Sequence, residues 1–362
     1  MKIAFWHFYT FRLLRGIETL VLSLSNALVK QGADISIIAA QSSQKTLVVP
    51  DSKVKIYTYP TFRYFEHQTI APFYAAHFLN HSYDRVVVFF SDFGEGQAWQ
   101  LISPFKKISL IPYLCYPYSS VPHRYRAMMK LGWNEKAFRI LADADWIAKE
   151  AETVFKRKVD VVSVGTDPER FRPDSSLRER MRNKYGYSKA DIVLLNVSSL
   201  EKRKGTWRGV EALGRLKNSL PQLRYFILGK GEEEQLLKRK VRELGIEEKV
   251  VFGGETTELE AFYNMADIFL MLPENEGNSI ACHEAMSCGL PLIVSRTGGF
   301  QESVTTQSGF IVDPNDLSQI DSALYRMQDL PMRQSMGKSN RDFIVKECSW
   351  DKKAKQFLEL MK

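Results

Sequence analysis

Apolar positions along the chain follow two alternating rhythms. Short continuous runs rich in β-branched residues, "KIAFW" (2–6), "DISIIAA" (34–40), "DRVVVFF" (84–90) and "KISLIPYLCY" (107–116), read as strands buried on both faces of a parallel sheet. Between the first two lies "IETLVLSLSNALVKQGA", whose apolar residues recur at helical spacing and whose Gly32 stands where a helix C-cap belongs. Strand, helix, strand is a βαβ unit, and the later runs extend the same sheet. The rhythm breaks at "VGTDPERFRPDSSLRERMRNKYGYSKAD" (164–191), a polar, charged stretch with two prolines that marks a domain boundary. Alternation then resumes with strand 192–198, helix 206–219, strand "RYFILG", helix 232–244, strand "KVVFGG", helix 258–265, strand "DIFLML", helix 279–288 and strand "PLIVS". The fold class expected is α/β: two doubly wound Rossmann-like domains, 1–168 and 169–348, facing each other across a cleft. A final helix over 349–362, with Trp350, Ala354, Phe357 and Met361 at helical spacing, needs an apolar surface to cover.

Composition narrows the function classes. At 362 residues with 44% hydrophobic and 25% charged residues, the chain has globular balance and is too long for one ordinary core. Cys115, Cys282, Cys288 and Cys348 are scattered without CxxC spacing, which argues against zinc and a disulfide framework and fits a reducing, cytoplasmic setting. His7, Thr10 and Arg12 interrupt "MKIAFWHFYTFRLL", so it reads as a buried first strand rather than a leader. No apolar stretch approaches the roughly 20 residues that span a bilayer. A formal net charge of +8 favours anionic partners, whether phosphorylated metabolites, lipid headgroups or nucleic acid.

The candidate chemistry lies at strand ends. Glu276 follows "DIFLML", which places it at the cleft rim. In "EGNSI", Gly277 permits close backbone approach, while Asn278 and Ser279 can cap the next helix and leave its first N–H groups facing a phosphate. Glu284 lies inside that helix, where a carboxylate can accept two hydrogen bonds from a vicinal diol such as a ribose; taken alone, a surface loop plus a solvated glutamate accounts for the pair equally well. Lys202, Arg203 and Lys204 follow the strand ending at Ser199, and Gly205 opens the helix beyond. Three cations there suggest a diphosphate clamp or a solvated basic face. Two weaker glycine signals are "LGKGEEE", with Gly229 and Gly231, and "LLRGIE", with Gly16; neither makes a GxGxxG fingerprint. "DAD" (143–145), between an apolar helix "KAFRILA" and a short strand, reads as structural. His283 should face away from Glu284, and His7 should be a satisfied core histidine.

Taken together, the E-x7-E pair Glu276 and Glu284, "HEAMSCGLPLIVSRTGGFQE", "VGTDPERFRP", "LGKGEEEQL" and "RGIETLVLSLSNAL" resemble the retaining glycosyltransferases of family 4, with the GT-B fold. The resemblance implies a C-terminal domain that binds a UDP- or GDP-linked sugar, an N-terminal domain that binds the acceptor, a last helix that returns to the N-terminal domain, and a reaction needing no metal or other cofactor. It implies donor contacts from Gly16, Ser199, Arg203, Lys204, Gly229, Gly231, Gly254, Glu276, Gly277, Asn278, Ser279, Ile280 and Glu284. Glu276 and Lys204 would act in catalysis, and Cys115 and Tyr116 would stand on the acceptor side. Ser199 replaces the arginine usual in the family, and Cys115 replaces a histidine. These two departures motivate a rival reading, a nucleotide-sugar-binding subunit with little activity of its own; a GT-B epimerase is disfavoured by the E-x7-E match.

"HRYRAMMKLGWNEKAFRIL" (123–141) mixes basic with apolar residues, as do segments that lie on anionic membranes, although a domain helix with a charged outer face has the same composition. With membrane contact through this segment, the acceptor expected is a glycan or lipid-linked glycan at the inner face of a membrane. Nucleic acid is not an expected partner.

Overall fold

The computed structural model describes residues 1–13, 15–42, 48–61, 66–89 and 93–362. Leu14 of "LLRGIE" and Phe90 of "DRVVVFF" lie outside the described residues. The chain forms two units, Met1–Gly165 with Trp350–Lys362, and Thr166–Ser349.

In unit 1, seven strands pair in the order β3-β2-β1-β4-β5-β6-β7: β1 (Lys2–Trp6), β2 (Asp34–Ala40), β3 (Lys55–Tyr59), β4 (Arg85–Val88), β5 (Leu110–Leu114), β6 (Leu141–Ala142) and β7 (Asp160–Val161). All pairs are parallel. Parallel strands are covered on both faces, which is why Ile3, Ala4, Phe5 and Trp6 are all buried. The Gly16–Lys30 helix connects β1 to β2 and ends where Gly32 takes the left-handed conformation at φ +84°.

The Trp350–Leu360 helix completes unit 1. Its Ala354 and Phe357 are buried, and Phe357 meets Phe5 edge-to-face with ring centroids 5.9 Å apart. This helix therefore supplies part of the core of the sheet that begins the chain. Phe357→Ala should destabilise unit 1 by about 3–5 kcal/mol, the usual loss for a buried aromatic truncated to a methyl, read as a lower midpoint in urea.

Unit 2 repeats the plan with β8 (Ile192–Val197), β9 (Leu223–Leu228), β10 (Val250–Gly254), β11 (Ile268–Met271), β12 (Leu292–Ser295) and β13 (Gly309–Val312), all parallel, in the order β10-β9-β8-β11-β12-β13. Chain order reverses direction between β8 and β11. In open parallel sheets that switch point, outside the carboxyl ends of the strands, is where ligands bind.

Two expected elements around "DAD" are exchanged. "KAFRILA" is not a helix: the preceding helix stops at Lys136, and Leu141–Ala142 is β6, paired to β5 through Tyr113 and Leu114. Its apolar residues answer to a sheet edge, which continuous hydrophobicity alone cannot tell from a buried helix. The short strand expected after "DAD" is instead the Asp145–Phe155 helix.

A candidate donor site at the switch point of unit 2

Beyond β8 the chain makes a single 3-10 turn, Lys202–Lys204, and Gly205 then turns it into the Thr206–Leu216 helix. Gly205 has φ +67°, and a Cβ there would stand 1.9 Å from the carbonyl oxygen of Leu272, so only glycine lets this turn lie against the exit of β11. The Glu274 amide then donates to the Arg203 carbonyl at 2.8 Å. The two loops are thus sewn together by backbone, and Lys204 Nζ lies 2.6 Å from Glu276 Oε2. Both side chains are only 13–14% exposed, so each is the other's main partner in a partly dry setting.

A buried cation braces this arrangement. Arg208, on the first turn of the Thr206–Leu216 helix and 2% exposed, donates to the carbonyls of Pro314 (2.7 Å) and Leu272 (3.2 Å) and lies 3.7 Å from Glu274 Oε1. Burial lowers its pKa, and Glu274 opposes that shift. Across the loop, a Cβ on Gly299 would stand 1.6 Å from the Gly277 carbonyl, and the Ser295 hydroxyl donates to the Pro273 carbonyl at 2.7 Å. Residues 273–277 are therefore clamped from the β8 side and from the β12 side.

The Ile280–Ser287 helix follows. Ser279 is its N-cap, its hydroxyl accepting from the Cys282 amide at 3.3 Å. Helix geometry leaves the amides of Ile280 and Ala281 without a partner inside the helix. Glu284 is 6% exposed and its Oε2 accepts the Tyr263 hydroxyl at 2.9 Å. Burial raises its pKa to about 7, with the Tyr263 bond and the Arg170 charge pulling it down and Glu260 pushing it up. His283 turns elsewhere, its Nε2 lying 3.2 Å from the Ser303 hydroxyl.

The remaining predicted residues divide by location. Gly229, with φ +131°, and Gly231 would bring a Cβ to 1.8 Å from the Ser198 carbonyl and 2.3 Å from that of Leu200. Their lack of side chains is thus demanded by the chain itself, which packs β8's exit, Ser199 included, against β9's. Gly254, at φ +67°, accepts from the Gly229 amide through its carbonyl at 2.7 Å. Arg203 is turned to Glu201 at 2.8 Å. Gly16, Cys115 and Tyr116 belong to unit 1. A Cβ on Gly16 would meet nothing within 4 Å, so no packing among the described residues requires glycine there. Burial, with Asp143 and Glu18 nearby, pushes the Cys115 thiol well above its ordinary pKa, keeping it neutral. The Tyr116 carbonyl accepts from Tyr125, and its ring lies 5.4 Å under Arg124. In the 123–141 segment Tyr125, Met128, Trp133 and Ala137 are buried in unit 1's own core, and Arg126, Lys130 and Lys136 are exposed. Arg124 lies over Tyr116, Arg139 pairs with Asp160 at 3.0 Å, and the Phe138 ring lies under Arg85.

Among the described residues, no group of three or more His, Cys, Asp or Glu side chains is placed to hold a metal ion. No helix there is long and apolar enough to cross a membrane.

Residues 178–343 match the family model described as "Glycosyl transferases group 1". Unit 2 is a group 1 glycosyl transferase domain. A GDP-mannose-dependent alpha-(1-6)-phosphatidylinositol monomannoside mannosyltransferase of Mycolicibacterium smegmatis is 33% identical to the chain over 208 residues, 54% of the chain and 54% of that protein. The chain thus spans about half the length of the curated relatives it matches. Over nearly its full length it superposes on sucrose-phosphate synthase from Thermosynechococcus elongatus, with TM-score 0.83, 18% identity and coverage of 99% and 98% of the two chains. Anabaena HepE, solved with UDP and glucose, gives TM-score 0.80 at 17% identity and the same coverage. The fold is GT-B, with the glycosyl transferase domain contributing the six-stranded sheet.

Arg208, Tyr263 and Gly299 were not singled out from sequence. The signal available for Arg208 was an arginine on the apolar face of its helix, among Gly209, Val210 and Leu213. Tyr263 and Gly299 act through residues distant in sequence and carry no local sign.

Proposed function

We propose that the protein is a retaining hexosyltransferase that moves a sugar from a UDP- or GDP-linked donor to a glycan or lipid-linked acceptor. The observation that carries this reading is the Lys204–Glu276 pair, 2.6 Å apart at the carboxyl end of β8 and β11 in a group 1 glycosyl transferase domain. A diphosphate leaving group gains negative charge as the anomeric C–O bond breaks. Lys204, with the first amides of the Ile280–Ser287 helix, would stabilise that charge without a metal. Glu276 would accept hydrogen bonds from the donor sugar's hydroxyls, and Glu284 from the ribose diol. Gly277, Asn278, Ser279 and Ile280 would line the path between them through their backbone. The acceptor oxygen would bond to the anomeric carbon as the diphosphate departs, its proton leaving on a diphosphate oxygen.

Unit 1 would bind the acceptor, with Gly16 admitting the donor's phosphates and Cys115 and Tyr116 lining the acceptor side. The name of the mycobacterial relative supports a lipid-linked acceptor, and the exposed Arg126, Lys130 and Lys136 support contact with an anionic membrane surface.

Calorimetric titration of UDP, GDP and ADP, in the presence of EDTA, tests the donor site. Binding of one nucleotide, followed by acceptor-dependent sugar transfer from the corresponding donor, is expected. Binding without transfer to any glycan or lipid-linked acceptor would favour the reading of a donor-binding subunit, for which Ser199 and Cys115 are the motive. Glu284→Ala should weaken the nucleotide by about 1.5–3 kcal/mol, and unchanged affinity would remove Glu284 from the site.

A further inference from the structure

Glu284 is an awkward choice for a diol contact unless something manages its charge. It lies on the buried side of its helix, and one of its oxygens is already bonded to Tyr263. Tyr263 is fully buried in the Leu259–Met265 helix, its ring packed edge-to-face on Phe171 at 5.8 Å and tilted against Phe269 at 6.1 Å. Held by those rings, the hydroxyl has little freedom to leave the carboxylate.

We propose that Tyr263 is a positioning residue for nucleotide capture: its hydroxyl fixes Glu284 Oε2, turns the other oxygen toward the ribose diol, and couples nucleotide binding to loss of the Glu284 proton. The inference rests on the donor-site reading above and adds the residue and the proton to it. A diol donates two hydrogen bonds, and only the carboxylate can receive both while still accepting from Tyr263. Glu284 is held near pKa 7 by its burial, so the free site is divided between acid and carboxylate at neutral pH. Two other charges act on it: Arg170 on the segment before the Ser175–Tyr185 helix, and Glu260 on the Tyr263 helix, paired to Arg170 at 2.9 Å. Arg341 on the Leu330–Glu347 helix acts on Cys288 instead and donates to the Phe171 and Ser287 carbonyls at 2.9 and 3.1 Å. The neutral Cys288 thiol, its pKa raised by burial, lies at the end of Glu284's own helix.

The sign follows from linkage. Below pH about 7 the nucleotide must displace a proton, and above it the carboxylate is ready, so affinity rises with pH through this window. From pH 6 to pH 8 the carboxylate fraction goes from about one tenth to about nine tenths, which is about a tenfold gain in affinity. The folded protein bears the opposite linkage: stability from this group is full below the ordinary carboxylate range and declines as pH rises toward 7.

The test measures affinity for the UDP or GDP that binds, from pH 5.5 to 9, for the wild type, Tyr263→Phe and Glu284→Gln. Tyr263→Phe removes the donor that eases ionisation, so its curve should shift to higher pH, with a three- to tenfold loss near pH 7 that is recovered at pH 9. A merely structural Tyr263 would lower affinity equally at every pH, and a curve that overlays the wild type would likewise overturn the proposal. Glu284→Gln should bind weakly, keeping only the rise that the nucleotide phosphate's own second ionisation at about pH 6 brings and that all three proteins share; if it binds as tightly as the wild type, or if no nucleotide binds, the donor-site reading itself fails. Should Tyr263→Phe not fold, titration of the wild type at pH 7 in buffers of different ionisation enthalpy decides the matter. Release of about half a proton per nucleotide is expected, and no release overturns the coupling.

Discussion

Glu276→Gln should nearly abolish sugar transfer while tightening the bare nucleotide diphosphate. In the free protein Lys204 is bonded to Glu276 at 2.6 Å, so an incoming diphosphate competes with a carboxylate for the same ammonium group. Glutamine keeps the shape but only a neutral acceptor, and a hydrogen bond to a charged partner is roughly twice as strong as a neutral one. Released Lys204 should then hold UDP or GDP about three- to tenfold more tightly. Transfer should fall by about 10²–10³, the usual loss when one contact to the reacting region is removed. Calorimetry on the nucleotide and initial rates on the complete donor separate the two effects. If nucleotide affinity falls together with the transfer rate, Glu276 serves the nucleotide rather than the sugar.

Arg208→Ala should be the most damaging single change in unit 2, at about 3–5 kcal/mol, because it strips donors from two buried carbonyls and leaves a hole the size of a long side chain. The carbonyls belong to Leu272 and Pro314, at the exits of β11 and β13, so the loop bearing Glu276 loses its brace as well as its stability. Urea denaturation followed by a probe in unit 2 reads the effect. A change below about 1 kcal/mol would mean that water replaces the guanidinium and that the loop is held by Gly205 and Gly299 alone.

Much of this architecture was readable before any coordinates. The buried strands announce themselves because a parallel sheet covered on both sides needs continuous apolar runs, as in "IVLLNV" and "DIFLML". Where burial is partial the signal fades: β3, "KIYTY", has Ile56 at 46% exposure and alternates too weakly to stand out, and the Glu66–Asn80 helix carries Pro72 in its interior. At the candidate site, Lys204, Glu276 and Glu284 are visible as residues at strand ends and at E-x7-E spacing. Their pairing is not, since Lys204 and Glu276 stand 72 positions apart and Tyr263 reaches Glu284 from 21 positions away. The glycines behave in the same way. Gly229 and Gly231 look like a ligand turn in sequence, yet each is required by a carbonyl of the chain's own backbone.

Unit 1 is assembled from segments on either side of unit 2, and this has a consequence on the ribosome. Phe5 and the face of the Gly16–Lys30 helix emerge early, but the helix that covers them begins at Trp350. At roughly 5–20 residues per second, translating the intervening unit 2 takes on the order of ten to forty seconds. During that interval the first sheet carries an uncovered apolar flank, a natural holding site for a chaperone, and a transcript cut short before Trp350 would leave a product that never buries it.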